Sequence, residues 1–402
     1  MIYGFLLGSS PQLAKDEIIG VLNRWQIRWQ EVSLSEEIFC LSLEAELPKA
    51  LFFELGGAIR LLKIERTFPL SNTTSFYQEL LPAILESIAG NVEVRVPPSG
   101  RLPKVNFAIS ATPYSLPKRE LIGLAKEAKA RLKRRGLKSR FLSPKTGTAL
   151  NAKVLDRYAL LEEGEELFLF RGKKVFVLAK TLAVQNIDEW ARRDVGKPSR
   201  DLKKGLLPPK LARMMVNLAV DFPSSQKVRI LDPFCGSGSV LIEALLLGFE
   251  AVGLDVDQSQ VDASLKNLAY IEENFGRLPS YRVYCADALK LSQLSDLQPR
   301  SFTAVVSEVY LGPPLKTEPA VGKQKKWASE LGHRYLHFLK ESKAVLKEGA
   351  KLVLAVPRWS EFGAGEKILD EISPLGYSLL KSYIYHRVGQ FVSREVLVLK
   401  NL

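Results

Sequence analysis

Three aspartates, each at the end of a short apolar run, are the residues whose types and spacing most directly suggest chemistry. Asp232 follows VRIL, Asp255 follows AVGL, and Asp287 follows YRVYCA. In an open α/β sheet, ligands bind at the carboxyl ends of the parallel strands. Three carboxylates would meet there. An aspartate can also cap the helix that follows it, and Asp257 is a better cap candidate than Asp255, but capping explains three consecutive strand ends less easily than a shared ligand does.

Two glycines indicate that a ligand could bind close to the backbone after the first of these strands. Asp232 opens DPFCGSG, in which Gly236 and Gly238 would let a ligand approach the backbone closely. The third small residue of a dinucleotide fingerprint is missing, because Leu241 stands there. A carboxylate before the glycines would also repel a pyrophosphate, so the site suits a cationic ligand such as S-adenosylmethionine better than NAD or ATP. Asp255 would then accept from ribose hydroxyls, and Asp287 from the adenine amino group.

A fourth carboxylate follows the next apolar run. FTAVVSEVYLGPP carries Glu308 out of a strand and into a turn with an aromatic residue, a glycine and two prolines. At the mouth of a strand, Glu308 can accept hydrogen bonds from a substrate amine, and Tyr310 can stack on a base. The alternative is an ion pair with a lysine such as Lys316. We favour the substrate-facing role.

Alternating strand-like and helix-like segments after residue 225 must position these residues. They predict a doubly wound α/β domain that closes with an antiparallel strand pair. A charged connector with Gly196, Pro198 and Gly205 marks a domain boundary. The predicted division is an α+β module at 1–65, a second α+β region at 66–184, a linker at 185–205 and the α/β domain at 206–402.

The basic residues are concentrated in one segment. The formal net charge is +13, and eleven bases face two acids between Lys118 and Lys145. A solvated helix face is the alternative, but such faces usually mix signs, so we expect the segment to neutralise nucleic-acid phosphates. The candidate RNA-binding residues are Lys118, Arg119, Lys126, Lys133, Arg134, Arg135, Lys138, Arg140 and Lys145.

The stretch ILDPFCGSGSVLIEALLLGFEAVGLDVD resembles the class I S-adenosylmethionine-dependent methyltransferases, and among them the enzymes that methylate guanosine N2 in RNA. RRDVGKPSRDLKKGLLPPKLARMMVNLA is similar to the segment before the catalytic domain in THUMP-domain tRNA methyltransferases acting on position ten. SPKTGTALNAKVL and GEELFLF resemble the THUMP module, which in that family grips the acceptor end of tRNA; a ferredoxin-like character for 1–65 rests on position alone. The resemblance implies a tRNA substrate, S-adenosyl-L-methionine as cofactor, and a cofactor pocket at Asp232, Phe234, Gly236, Gly238, Asp255 and Asp287, closed by Pro209 and Leu211.

The chain departs from this family after the fourth strand. Family members carry Asp or Asn, two prolines and Tyr or Phe, whereas this chain reads EVYLG. Glu308 is one methylene longer than Asp, and a displacement of about 1 Å can cost about 100-fold in rate unless the loop compensates. We therefore keep two alternatives: methylation of another target, such as ribosomal RNA or an adenine N6, and an RNA-binding homologue without turnover.

Three cysteines, far apart and without a CxxC pair, argue against a zinc site or a disulfide framework. No apolar run approaches the ~18–20 residues of a membrane span, and the first residues lack the features of a signal peptide. We therefore expect a cytoplasmic protein with no metal and no membrane association.

Overall fold

The computed structural model describes residues 1–70, 73–93, 104–113, 115–200, 206–223, 227–295, 297, 299–387 and 389–402. Every element and contact given below lies within these residues. The chain divides into two compact units. The first comprises Met1–Pro11, Ile27–Phe53 and Ala58–Ile187, and the second comprises Gln12–Gln26, Glu54–Gly57 and Asp188–Leu402. All but the first residue of helix α1 (Pro11–Arg24) thus belong to the second unit.

The first unit is built on a mixed eight-stranded sheet with the order β2-β3-β1-β4-β8-β7-β5-β6. Among the strands of this unit that the structure describes, only the β5–β6 and β5–β7 pairs are parallel. Its elements are β1 Ile2–Leu7, β2 Gln30–Glu31, β3 Ile38–Ser42, α2 Lys49–Phe53, β4 Ala58–Pro69, α3 Thr73–Glu93, β5 Val105–Ala111, α4 Lys118–Arg134, β6 Ser139–Leu142, α5 Ala152–Arg157, β7 Glu165–Arg171 and β8 Val175–Val184.

Helix α4 shows why the basic segment folds as it does. Leu121, Leu124, Ala128 and Leu132 recur at helical spacing and are buried in the core of the first unit. The helix ends before Gly136, whose φ of 79° favours glycine. The basic residues therefore occupy the remaining surface of the helix.

The second unit contains a seven-stranded sheet with the order β11-β10-β9-β12-β13-β15-β14. The first five strands in that order are parallel, and β15 is antiparallel to both β13 and β14. Its further elements are α6 Ile187–Asp194, α7 Pro209–Ala219, β9 Arg229–Asp232, α8 Ser239–Leu246, β10 Glu250–Asp255, α9 Gln258–Phe275, β11 Tyr281–Cys285, a 3₁₀ helix at Ala288–Gln293, β12 Phe302–Glu308, α10 Val321–Ser342, β13 Leu346–Arg358, α11 Ala364–Glu371, a 3₁₀ helix at Ser373–Leu375, β14 Tyr377–Tyr385 and β15 Ser393–Asn401.

This strand order creates a switch point beside β9. The chain adds β10 and β11 on one side of β9 and then returns to place β12 on the other side. Leu231 and Val305 pair on one face of this sheet, Ile230 and Ala304 pair on the other, and all four are fully buried, as expected for a sheet covered on both faces. Ligands of such folds bind where the strand order reverses, outside the carboxyl ends of the strands.

Side-chain contacts hold α1 within the second unit. Asp16 accepts hydrogen bonds from Lys381 Nζ at 2.5 Å and from the Tyr383 hydroxyl at 2.6 Å, both on β14. Glu17 is fully buried and accepts from the backbone N–H groups of Gly56 and Gly57. A helix from near the amino terminus is therefore part of the same unit as the α/β sheet.

The predicted fold class is confirmed: the carboxyl-terminal part is a doubly wound α/β fold with a closing antiparallel strand pair, and the amino-terminal part is mixed α and β. The predicted division at residue 65 falls inside β4, which pairs with β1 on one side and β8 on the other. Residues 201–205 of the predicted linker lie outside the described residues. The THUMP assignment stays a prediction.

Candidate functional site

Asp232 lies at the switch point, at the end of β9. It is 2% exposed, and its Oδ1 accepts from the Ser307 hydroxyl at 2.6 Å and from the Phe234 N–H at 3.3 Å. Burial raises the pKa of Asp232 to about 7, and the negative charges of Asp255 and Glu308 add to this effect. Capping of α8 does not explain Asp232, because Gly238 occupies the cap position of that helix.

The loop after Asp232 has positive φ values at both of its glycines, a conformation that favours glycine. Gly236 and Gly238 have φ values of 51° and 85°. At Gly238 a Cβ would overlap Ser264 of α9. At Gly236, by contrast, a Cβ would meet nothing closer than Gln260 Oε1 at 3.9 Å, so the loop leaves space for a ligand at that residue. Phe234 is half-buried and packs edge-on against Phe338.

Asp255, at the end of β10, is connected directly to this loop. Its Oδ2 accepts from the Gly236 N–H and its Oδ1 from the Asp257 N–H, both at 3.0 Å. Asp257 caps α9 by accepting from the Ser259 N–H, as the sequence predicts. The Asp255 carboxylate therefore fixes the glycine loop while it stays half-exposed.

Asp287 follows β11 and is also half-buried. Its Oδ1 accepts from the Leu289 N–H at 2.9 Å and caps the 3₁₀ helix that begins at Ala288. Asp287 is therefore a helix cap, which is the alternative to ligand binding. A hydrogen bond from Asp287 to an adenine stays a prediction. Pro209 and Leu211 are buried in the first turn of α7, and their predicted closure of the pocket also stays a prediction.

Glu308 ends β12, on the other side of the switch point. Its partner is Arg394 of β15, whose Nε donates to Glu308 Oε1 at 2.5 Å, and not a lysine. The side chain of Glu308 is 16% exposed. Burial raises the pKa of Glu308, whereas the charge of Arg394 acts in the opposite direction.

The segment after Glu308 returns to the surface within two residues. Val309 is buried and donates its N–H to the Ala355 carbonyl at 3.1 Å. Tyr310 is 53% exposed, and its backbone carbonyl accepts from the Tyr335 hydroxyl of α10. Gly312 has a φ of 95°. The phenol ring of Tyr310 is therefore available to solvent while its backbone is held.

Sequence reasoning missed three residues that shape this site. Ser307 contacts Asp232, Arg394 contacts Glu308, and Tyr335 holds the Tyr310 carbonyl. A polar residue inside the apolar run of β12 is a signal that could have identified Ser307. No local pattern identifies the other two.

The predicted RNA-binding residues lie in the first unit, on α4 and the segment after it. Eight of the nine are exposed, and Lys118 is half-buried with its Nζ donating to the Lys145 carbonyl at 2.8 Å. Of the two acids in the segment, Glu127 forms ion pairs with two bases of the same segment, Arg131 at 2.9 Å and Arg134 at 3.6 Å, and Glu120 accepts from the Tyr77 hydroxyl. The eight exposed residues among the nine predicted ones are Arg119, Lys126, Lys133, Arg134, Arg135, Lys138, Arg140 and Lys145.

The described residues contain no group of three or more His, Cys, Asp or Glu side chains that could hold a metal ion. Among the helices that the structure describes, none has the length and apolar character needed to cross a membrane.

Comparison with known proteins defines the class of the second unit. Residues 199–363 match the family described as UPF0020: RMKL-like, methyltransferase domain. The strand order and the carboxylates at the switch point agree with that match. Residues 199–363 are therefore similar to a methyltransferase domain, and they lie in the doubly wound α/β part of the chain.

The chain is also similar to particular proteins. It is 33% identical over 202 residues to the tRNA (guanine(10)-N2)-dimethyltransferase of Methanothermobacter thermautotrophicus, covering 49% of this chain and 51% of that protein. The chain spans about half the length of the curated relatives it matches. TrmN from Thermus thermophilus has the same overall fold, with a TM-score of 0.56, 16% identity and coverage of 100% of this chain and 99% of TrmN. SMU.472, solved in complex with SAH, gives a TM-score of 0.50 at 12% identity and covers 98% of this chain and 97% of that one.

Proposed function

We propose that the protein is an S-adenosylmethionine-dependent RNA methyltransferase that methylates the exocyclic N2 amine of guanosine, with tRNA as the RNA. The observation that carries this proposal is the set of carboxylates at one sheet edge, with Asp232 and Glu308 on opposite sides of the switch point. The similarity to tRNA (guanine(10)-N2)-dimethyltransferases supports the choice of substrate. The cytoplasm is the proposed compartment.

The residues at the ends of β9 and β10 fit a cationic nucleoside. Asp232 offers a buried carboxylate to an ammonium group, and the glycine loop leaves space beside the backbone. The half-exposed Asp255 can accept from ribose hydroxyls. When bound, S-adenosylmethionine supplies an electrophilic methyl group on its sulfonium. Asp287 and Phe234 are proposed to border the adenine.

Glu308 and Tyr310 are proposed to hold the substrate guanine whose amine accepts the methyl group. The lone pair of a guanine N2 amine is delocalised into the ring, so the amine is a weak nucleophile. An ionised Glu308 accepts an N–H of the amine, orients it and stabilises the positive charge that develops during transfer. The exposed ring of Tyr310 stacks on the base after it has left its helix.

The basic segment of the first unit is proposed to hold the RNA backbone. The two acids of the segment offset only part of its positive charge, because Glu127 pairs with Arg131 and Arg134, and Glu120 accepts from Tyr77. Contacts of this kind position an RNA without reading its sequence. The THUMP-like region would thus supply affinity, and the methyltransferase domain the chemistry.

The test is to incubate the protein with unmodified total tRNA and isotopically labelled S-adenosylmethionine and to identify the labelled nucleoside by mass. The proposal expects N2-methylated guanosine. Glu308→Ala should abolish this product and leave cofactor binding within about twofold. Full activity of that variant would remove Glu308 from the mechanism, and label in adenosine would favour the other methylation target.

The EVYLG sequence, which begins at the end of β12 and departs from the family pattern, is the observation that favours the second candidate, an RNA-binding homologue without turnover. Binding of tRNA with no labelled product and no uptake of S-adenosylmethionine would support that candidate.

A further inference from the structure

Arg394 is a buried arginine beside Glu308, the residue proposed to accept a hydrogen bond from the substrate amine. It stands at the start of β15, and its side chain is 2% exposed. Its guanidinium donates to three partners: Nε to Glu308 Oε1 at 2.5 Å, Nη1 to Gln390 Oε1 at 3.1 Å and Nη2 to the Leu206 carbonyl at 3.4 Å. These partners lie on β12, in the turn between β14 and β15, and just before α7.

The register of the sheet explains why Arg394 reaches Glu308. Glu308 pairs with Ala355 of β13, and Ala355 pairs with Val396 of β15. Paired residues share one face of a sheet, and so do residues two apart on a strand. Arg394 is therefore on the same face of the sheet as Glu308. It lies two positions from Val396, toward the carboxyl ends of the parallel strands.

We propose that Arg394 is a positioning residue for methyl transfer: it fixes Glu308 Oε1 and leaves Oε2 to accept from the substrate amine. This inference rests on the proposed function. A carboxylate has about four lone-pair sites on its two oxygens, and Arg394 Nε uses one of them. The carboxylate therefore keeps acceptor capacity for a substrate.

The contact also accounts for the extra methylene of Glu308. A glutamate has one more rotatable bond than an aspartate, and a carboxylate free to move by about 1 Å would cost up to about 100-fold in rate. Anchoring Oε1 to the guanidinium removes that freedom. An arginine suits this role because its planar fork donates in several fixed directions, which a lysine ammonium cannot reproduce.

The same guanidinium connects Glu308 to two other segments of the second unit. Leu206 lies three residues before Pro209, the first residue of α7, and Gln390 lies in the exposed β14–β15 turn. Arg394 thus fixes the acceptor relative to the segment proposed to close the cofactor pocket.

The test compares Arg394→Gln and Arg394→Lys with the wild-type chain, with Arg358→Gln as a matched control. Arg358 is an arginine at the end of the neighbouring strand whose ion pairs are with Glu366 and Glu395. We expect Arg394→Gln to lower kcat by about 10- to 100-fold and to leave its Kd for S-adenosylmethionine near the wild-type value. The control variant Arg358→Gln should have a melting temperature near that of the wild type. Arg394→Lys should recover part of kcat.

A pH profile at saturating cofactor separates positioning from simple structural support. The charged groups that face Glu308 are Arg394 of β15 and Asp232 of β9. Arg394 favours the ionised carboxylate, so its loss moves the acidic limb of kcat to higher pH, while Arg394→Lys keeps the limb near wild type.

Wild-type kcat and an unmoved acidic limb in Arg394→Gln would overturn the inference while the proposed function stands. If Arg394→Gln does not fold, Arg394→Lys decides, and a kcat within twofold of wild type would overturn it. Absence of wild-type turnover would instead refute the proposed function.

Discussion

Replacing Asp255 with alanine tests the proposed cofactor site at a carboxylate with a defined hydrogen bond on each oxygen. Asp255 accepts one backbone N–H on each oxygen, from Gly236 and Asp257, and keeps lone pairs for a ribose. A hydrogen bond to a charged group contributes about 1.5–3 kcal/mol. Losing one such bond to the cofactor should raise its Kd by roughly 10- to 150-fold.

The assay is isothermal titration of the purified protein with S-adenosylmethionine. Asp257→Ala is the matched control, because Asp257 lies two residues away and caps α9. Losing that cap should cost about 1 kcal/mol of unfolding free energy and leave the cofactor Kd within about twofold. An unchanged Kd in Asp255→Ala, or equal losses of affinity in both variants, would refute the assignment of Asp255 to the ribose.

Three further predictions address charge and backbone geometry. The pKa of Asp232, about 7 in the free protein, should make cofactor binding pH-dependent, because a cationic ligand selects the ionised carboxylate. The Kd should then rise about tenfold from pH 8 to pH 6, and Asp232→Asn should abolish this dependence; a flat wild-type profile would contradict it. Replacing Lys126 and Lys133 with alanine should weaken tRNA binding and reduce the slope of log Kd against log salt concentration by about 0.7–0.9 per lysine, so an unaltered slope would exclude these lysines from phosphate contacts. Gly238→Ala should lower the free energy of unfolding by about 1–3 kcal/mol, because its φ is 85° and the new Cβ overlaps Ser264; unaltered urea denaturation would disprove this reasoning.

The sequence predicts the parts of the site that depend on local signals. An apolar run followed by a carboxylate marks the end of a buried strand, and this pattern predicts that Asp232, Asp255 and Glu308 lie at one sheet edge. The helical spacing of Leu121, Leu124 and Leu132 likewise predicts which face of α4 is buried.

Contacts that depend on strand neighbours could not be predicted in the same way. Arg394 lies 86 residues from Glu308 in the chain. The two meet only because β13 alone separates β12 from β15 in the sheet. Periodicity predicts helix α1 but not its packing, which depends on contacts such as that of Asp16 with Lys381, 365 residues away. Hydrophobic pattern specifies which face of an element is buried, whereas the partner that buries it is decided by the tertiary fold.

The central claim is that acidic side chains at the carboxyl ends of β9 and β10 bind a positively charged methyl donor. Equilibrium dialysis of the purified protein against S-adenosylmethionine, NADH and ATP, each labelled and offered separately, tests it most directly. We predict saturable uptake of S-adenosylmethionine alone. Uptake of NADH or ATP without S-adenosylmethionine would contradict the account.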